Sequence, residues 1–187
     1  MNSMISRKII IGAGIIIAMA IILLLMGRVP ICECGTIKLW HGDAFSSESS
    51  QHIADWYTPS HMLHGMLFYL GLWAVWRNGA IGDRAIAAII LEASWEIAEN
   101  TNFIIQRYRE VTISLDYFGD SVLNSVSDVF AMLAGFYLAR RLPVPVTIVL
   151  ALTFEAVAMW VIRDGLALNI LMLLWPIDAV KDWQMDG

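Results

Sequence analysis

Apolar stretches close to the length an α-helix needs to cross a bilayer, about 20 residues, recur along this chain. They are residues 9–26, 61–76, 84–105, 120–139 and 144–162, with a shorter piece at 166–180 interrupted by Pro176 and Asp178. Such spacing leaves little room for a soluble domain. With 187 residues, 58% of them hydrophobic and 16% charged, and a mean hydropathy of +0.65, the whole chain 1–187 reads as one integral membrane domain. The expected fold is all-α, a bundle of five or six transmembrane helices with a polar cavity towards the outer leaflet, and with the short last piece crossing the membrane. The net charge of −5, without any run of Lys or Arg, argues against nucleic acid as a partner.

The first span follows Arg7 and Lys8, outruns a signal-peptide core, and is followed by Gly27-Arg28-Val29-Pro30 rather than a small-x-small cleavage site, so it is expected to remain as an anchor. In this topology Arg7, Lys8, Arg77, Arg84, Arg140, Arg141 and Lys181 fall on one side, and Arg28, Lys38, Arg107, Arg109 and Arg163 on the other. That excess puts the N-terminus in the cytoplasm. The polar segment 28–60 then lies outside, where it offers a docking surface to a membrane protein partner. It holds Cys32 and Cys34, which are read as bridged to each other under strain, metal ligands, a bridge to a partner, or buried thiols. Thr58-Pro59 is the expected helix start of the second span, with Thr58 as its N-cap, and Asp120 is the expected cap of the fourth.

Polar groups inside these spans are the functional signal, because an ionisable side chain at the centre of a membrane helix costs roughly 2.5–3.5 kcal/mol on insertion scales. Glu92, Glu96 and Glu99 recur at helical spacing on one stripe, with Asn100 beside them. At about 1.5 Å per residue, Glu92 lies roughly 12 Å and Glu99 roughly 22 Å from Arg84, so the stripe descends from the outer side. Asp120, Asn124 and Asp128 repeat this on the next helix. All four histidines, His41, His52, His61 and His64, fall between Trp40 and Gly65, and His61 and His64 share one helix face. They are expected at the helix mouth, level with Glu99 and Asp120.

Imidazole beside carboxylate is the donor mix that holds zinc, iron or manganese in bundle cores; without metal, it can share acid/base work. His61, His64, Glu96, Glu99 and Asp120 are therefore the candidate catalytic and metal-binding residues, with His52, Asp55 and Asp128 as further ligands. Glu92 and Glu155, alone at depth, read as protonated and structural. Arg107, Arg109, Asn100 and Asn124 are candidates for binding a lipid or lipid-linked headgroup; snorkelling anchors would use the same arginines. The polar groups could also serve only as interhelical hydrogen bonds, worth about 0.6 kcal/mol each. A hydrolase or transferase and a non-enzymatic lipid- or ion-binding subunit both fit this pattern.

The segments Cys32-Glu33-Cys34-Gly35, Asp55-Trp56-Tyr57-Thr58-Pro59-Ser60-His61, Trp95-Glu96-Ile97-Ala98-Glu99-Asn100 and Ser114-Leu115-Asp116-Tyr117-Phe118-Gly119-Asp120-Ser121 resemble a family of small, uncharacterised bacterial inner-membrane proteins. That resemblance covers nearly the whole chain after the first span and implies a multi-pass protein of the bacterial inner membrane. A looser resemblance, to VanZ-like membrane proteins, rests on His64, Glu96, Arg109, Ser114, Asp120 and Asn124. It implies activity on envelope components.

Overall fold

In a computed structural model, which describes residues 2–112 and 114–185, the chain is all-helical, with no strand among the described residues. The elements are α1 (Asn2–Leu25), α2 (Thr58–Val75), α3 (Ile81–Glu99), α4 (Asn102–Val111), α5 (Val122–Arg141), α6 (Val144–Ile162), α7 (Leu166–Leu174) and α8 (Asp178–Met185). Three of them contain stretches long and apolar enough to cross a membrane. These are Ile5–Leu25, Val122–Arg141 and Val144–Ile162, with mean hydropathies of 2.8, 1.5 and 2.0. They turn large apolar side chains outward, among them Ile10, Leu25, Leu152 and Trp160, as a helix facing lipid does. The chain is thus a membrane protein by its helices. The polar side chains of α2 and α3 keep those helices out of this set.

Local chemistry explains most of the boundaries. Pro59 stands in the first turn of α2, where its missing N–H costs nothing, although the cap position belongs to Tyr57 and not to Thr58. Ser121, not Asp120, caps α5, its hydroxyl accepting from the Asn124 amide at 3.1 Å. The stretch 84–105 is not one helix. Its chain breaks after Glu99, where the Asn100 side chain donates to the Glu96 carbonyl (3.0 Å), and Thr101 caps a new helix through the Ile104 amide. The stretch 166–180 is also divided, at Trp175–Ile177 around Pro176. At 1.5 Å per residue, α7 is only about 13 Å long, too short to cross a hydrocarbon core of about 30 Å.

The core is built where α1, α3 and α5 meet, around Met19, Leu23, Ala88, Ile89, Val129 and Phe136. The closest crossing is that of α2 on α5, through Gly65 and Gly135. A Cβ on Gly65 would fall 1.9 Å from the Met132 carbonyl oxygen, and one on Gly135 would fall 1.9 Å from the Met62 carbonyl oxygen. Backbone-to-backbone packing of this kind is how membrane helices approach without a hydrophobic drive between them.

The segment between α1 and α2 is stitched onto the start of α5. The amides of Ser121, Val122 and Leu123 donate to the carbonyls of Ser50, Val29 and Pro30, and Gln51 Nε2 donates to the Gly119 carbonyl at 2.6 Å. The free N–H groups of the α5 N-terminus are thereby satisfied. This segment packs as a lid on its own bundle, and His52 and Gln51 within it are buried.

The same end of the bundle carries Asp164, between α6 and α7. It accepts from the Gly165 amide, Asn169 Nδ2 and the Tyr57 hydroxyl. Burial outweighs these bonds and pushes its carboxyl up to about 6 from 3.8. The sign follows: stability from protonated Asp164 is fully present below about pH 4 and is lost as pH rises through about 6. Relative to Asp164→Asn, wild type should lose about 3 kcal/mol between pH 4 and 8, at 1.36 kcal/mol per unit. Thermal unfolding in detergent across that range measures the difference; a flat one contradicts the assignment.

Candidate functional site

α2, α3 and α5 bring their polar stripes together beneath the lid. His61 Nδ1 lies 2.6 Å from Glu92 Oε1, and His64 Nδ1 lies 3.1 Å from Glu92 Oε2. One carboxylate therefore takes both imidazoles at Nδ1. With the Nδ1 protons donated to Glu92, both Nε2 atoms keep their lone pairs, as carboxylate–histidine–metal arrangements require. His61 Nδ1 is also 3.4 Å from Glu96 Oε1, and its Nε2 is 3.8 Å from Asp128 Oδ2. Glu92 and Glu96 are fully buried.

Two sets of side chains here have ligand atoms within 4.8 Å of one another: His61, His64 and Glu92, and His61, Glu96 and Glu99. The decisive detail is Glu96. Among the described residues neither of its carboxylate oxygens has a hydrogen-bond partner, and Asp128 Oδ1 is likewise buried and without one. A buried carboxylate in this state is costly unless it takes a proton or something positive completes it.

His61, His64, Glu99, Asp120, Asn124 and Asp128 face a cavity of about 550 Å³. Part of its wall is apolar, formed by Leu67, Phe68, Leu91, Trp95, Ile170 and Leu173, and no Lys or Arg among the described residues lines it. The lid contributes Phe45 and Tyr57 to its rim. Burial and the adjacent Asp164 push the Tyr57 hydroxyl well above its usual range, so it stays a proton donor to Asp164.

The candidate residues separate into distinct groups. His61, His64, Glu96, Glu99 and Asp128 converge. Asp120 lines the cavity but is already held, accepting from Asn100 Nδ2 at 2.7 Å and the Tyr117 hydroxyl at 3.0 Å. Asn100, which does not line the cavity, accepts at Oδ1 from the Asp120 amide at 2.8 Å, closing a clasp at the end of α3. Asn124 lines the cavity while donating to the His52 carbonyl. Arg107 lies outside it, its guanidinium on the Leu173 carbonyl, and Arg109 also stands off the wall. Asp55 braces the lid through the Ser50 and Tyr57 amides. His52 sits elsewhere, beside Glu48 and the cysteines.

Glu155 is structural, accepting from the Leu166 and Ala167 amides at the start of α7. Glu92 is not isolated, contrary to expectation, because it contacts both histidines. Its signal was the helical spacing to Glu96, and the expected level of the histidines obscured it. His61 lies about 21 Å along α2 from Val75, against about 16 Å for Glu92 and 22 Å for Glu96 along α3 from Ile81. The imidazoles therefore meet α3 between Glu92 and Glu96, deeper than Glu99.

Residues 23–186 match the sequence profile of a family described as a protein of unknown function, DUF2585. The chain belongs to that family. Among its relatives, a UPF0314 protein of Paracoccus denitrificans (strain Pd 1222) is 60% identical over 170 residues, covering 91% of this chain and 88% of the relative. One from Sinorhizobium fredii (strain NBRC 101917 / NGR234) is 58% identical, covering 86% and 81%. One from Novosphingobium aromaticivorans is 54% identical over 179 residues, covering 93% and 90%. No solved structure matches. The family membership agrees with the resemblance to uncharacterised bacterial proteins; the VanZ-like pattern remains a likeness of residue spacing.

Proposed function

We propose that this protein is a multi-pass inner-membrane enzyme that uses a divalent metal, held by His61, Glu96, Glu99 and Asp128, to hydrolyse or transfer a lipid or lipid-linked headgroup. The observation that carries this reading is Glu96, buried with both oxygens unpartnered beside His61. A divalent cation of the zinc, iron or manganese class suits that mixture of imidazole and carboxylate, and the free Nε2 of His64 supplies a further donor. Bound there, a metal lowers the pKa of a coordinated water towards neutral and polarises a phosphoryl or carbonyl oxygen. Glu92 keeps the imidazoles in the metal-binding tautomer. The apolar wall accommodates an acyl chain while the acidic wall faces the headgroup.

Lid residues Ala44, Phe45 and Ser46 line the cavity, and the Cys32–Cys34 bridge in the same segment (Cα–Cα 5.2 Å) supports an external, oxidising side for it. Charge alone no longer orients the chain, because Lys181 donates to the Glu110 carbonyl and so joins Arg28, Lys38, Arg107, Arg109 and Arg163 at the lid end. The basic residues are then evenly divided.

Elemental analysis of protein purified without chelator tests the reading. Wild type should carry about one metal per chain, and Glu96→Gln should lower the affinity by roughly tenfold or more. Wild type free of stoichiometric metal removes the metal enzyme. The absence of Lys and Arg from the described lining of the cavity favours a second reading, binding of an amine-bearing lipid headgroup without turnover. Native mass spectrometry that finds an intact, retained amine lipid on metal-free protein would support it.

A further inference from the structure

Outside the bundle, one cluster is untouched by that reading. Cys32, Cys34, Glu48 and His52 come from separate points of the lid, yet one ligand atom from each lies within 4.8 Å of all the others. We propose that these four side chains form a second metal site, based on thiolates, which takes a zinc-class ion when the Cys32–Cys34 bridge is reduced and releases it when the bridge forms. Two thiolates, an imidazole and a carboxylate make a complete four-coordinate set for a borderline-soft ion.

The surroundings prepare the ligands. His52 is fully buried and cannot swing away, and its Nε2 lies 3.0 Å from Glu48 Oε2, so a proton shared between them is the one a metal displaces. Lys38 Nζ also binds Glu48. The loaded form gives up one contact, the 3.3 Å approach of the Lys38 amide to His52 Nδ1. Cys34 is exposed, so ions and thiol reagents reach the pair directly.

The exchange balances. Two metal-bound thiolates lose two electrons in forming the S–S bond and the ion departs. A disulfide-bearing thiol oxidant accepts those electrons with two protons and becomes a dithiol. A metal bound first shields the thiolates from that oxidant, so each state blocks the other.

Cobalt(II) chloride is the probe, titrated under anaerobic conditions into full-length protein reduced with a phosphine. The expected result is a sulfur-to-cobalt charge-transfer band saturating at one ion per chain. It should vanish when oxidised dithiothreitol re-forms the bridge and should be missing from Cys32→Ser/Cys34→Ser. Glu48→Gln, a change at a half-exposed position that spares the fold, should weaken binding by about tenfold. Reduced wild type without the band, or a band indifferent to both Glu48→Gln and His52→Ala, overturns the proposal. Cobalt in the His61–Glu96 site gives no sulfur band and survives the double serine variant, so failure here and failure of the membrane site are separately visible.

Discussion

Replacing Gly65 with alanine should cost more than about 4 kcal/mol, the range of the most damaging single changes, and replacing it with valine should abolish the folded protein. The added carbon at Gly65 would sit 1.9 Å from the Met132 carbonyl oxygen and 2.6 Å from the Phe136 amide nitrogen. Those are backbone atoms of α5, so no rotamer change relieves the clash. The only relief is separation of α2 from α5, which also pulls His61 away from Asp128 and opens the site. Gly135→Ala should behave alike, since its new carbon meets the Met62 backbone. Gly71, on the same helix but with nothing within 4 Å of an added carbon, is the control. Gly71→Ala should preserve or slightly raise stability, by up to about 1 kcal/mol. Size-exclusion profiles and thermal unfolding in detergent decide it: Gly65→Ala melting with wild type would show that the crossing is looser than described.

The second large effect is expected at Glu92, where a change of one atom type breaks a shared arrangement. A carboxylate accepts from two Nδ1–H groups at once, whereas an amide accepts at its oxygen and donates at its nitrogen. Glu92→Gln therefore keeps one histidine as it is and forces the other to accept at Nδ1. That ring then carries its proton on Nε2, where it cannot bind a metal. The protein stays folded, because Gln fills the same space and both contacts survive as hydrogen bonds. Metal affinity should fall by 10- to 100-fold, as is typical when the partner of a liganding histidine is changed, and Glu92→Leu should lower it further. Chelator competition against wild type measures the change. Unchanged affinity in Glu92→Gln would mean that the histidines are not oriented through Glu92.

Helix placement was legible wherever the hydrophobic run was unbroken. α5 and α6 fall within two residues of the expected spans, because proline, arginine and serine mark their ends chemically. The sequence was misleading where one apolar run contains a break made by tertiary contact. Asn100 ends α3 because Asp120, from a distant part of the chain, clasps it, and no local pattern announces that partner. Pro176 was visible as an interruption, but α7 and α8 were still expected to act as a single span.

At the site, the histidine pair and the glutamate stripe were legible from spacing alone, since residues three and four apart share a helix face. Their relative depth was not. It depends on how far α2 sinks against α3, which the Gly65–Gly135 crossing determines. For the same reason Glu92 passed for an isolated acid when it is the bridge between two imidazoles. The arginines stand off the cavity for a different cause. α4 turns away from the bundle axis after Thr101, carrying Arg107 to a carbonyl of α7. The lid's own partners, Ser50, Gln51 and His52 on the start of α5, join residues too far apart in sequence for any periodicity to relate them.

Diffraction at the zinc absorption edge, on crystals of Cys32→Ser/Cys34→Ser protein grown with zinc, would locate any ion held by the bundle independently of the lid cysteines. An anomalous peak among His61, Glu96 and Glu99, within bonding distance of a Glu96 oxygen and on the wall of the cavity, is the expected result. A Glu96 carboxylate hydrogen-bonded to a neighbouring side chain, with no peak beside it, would contradict a metal centre in this membrane protein.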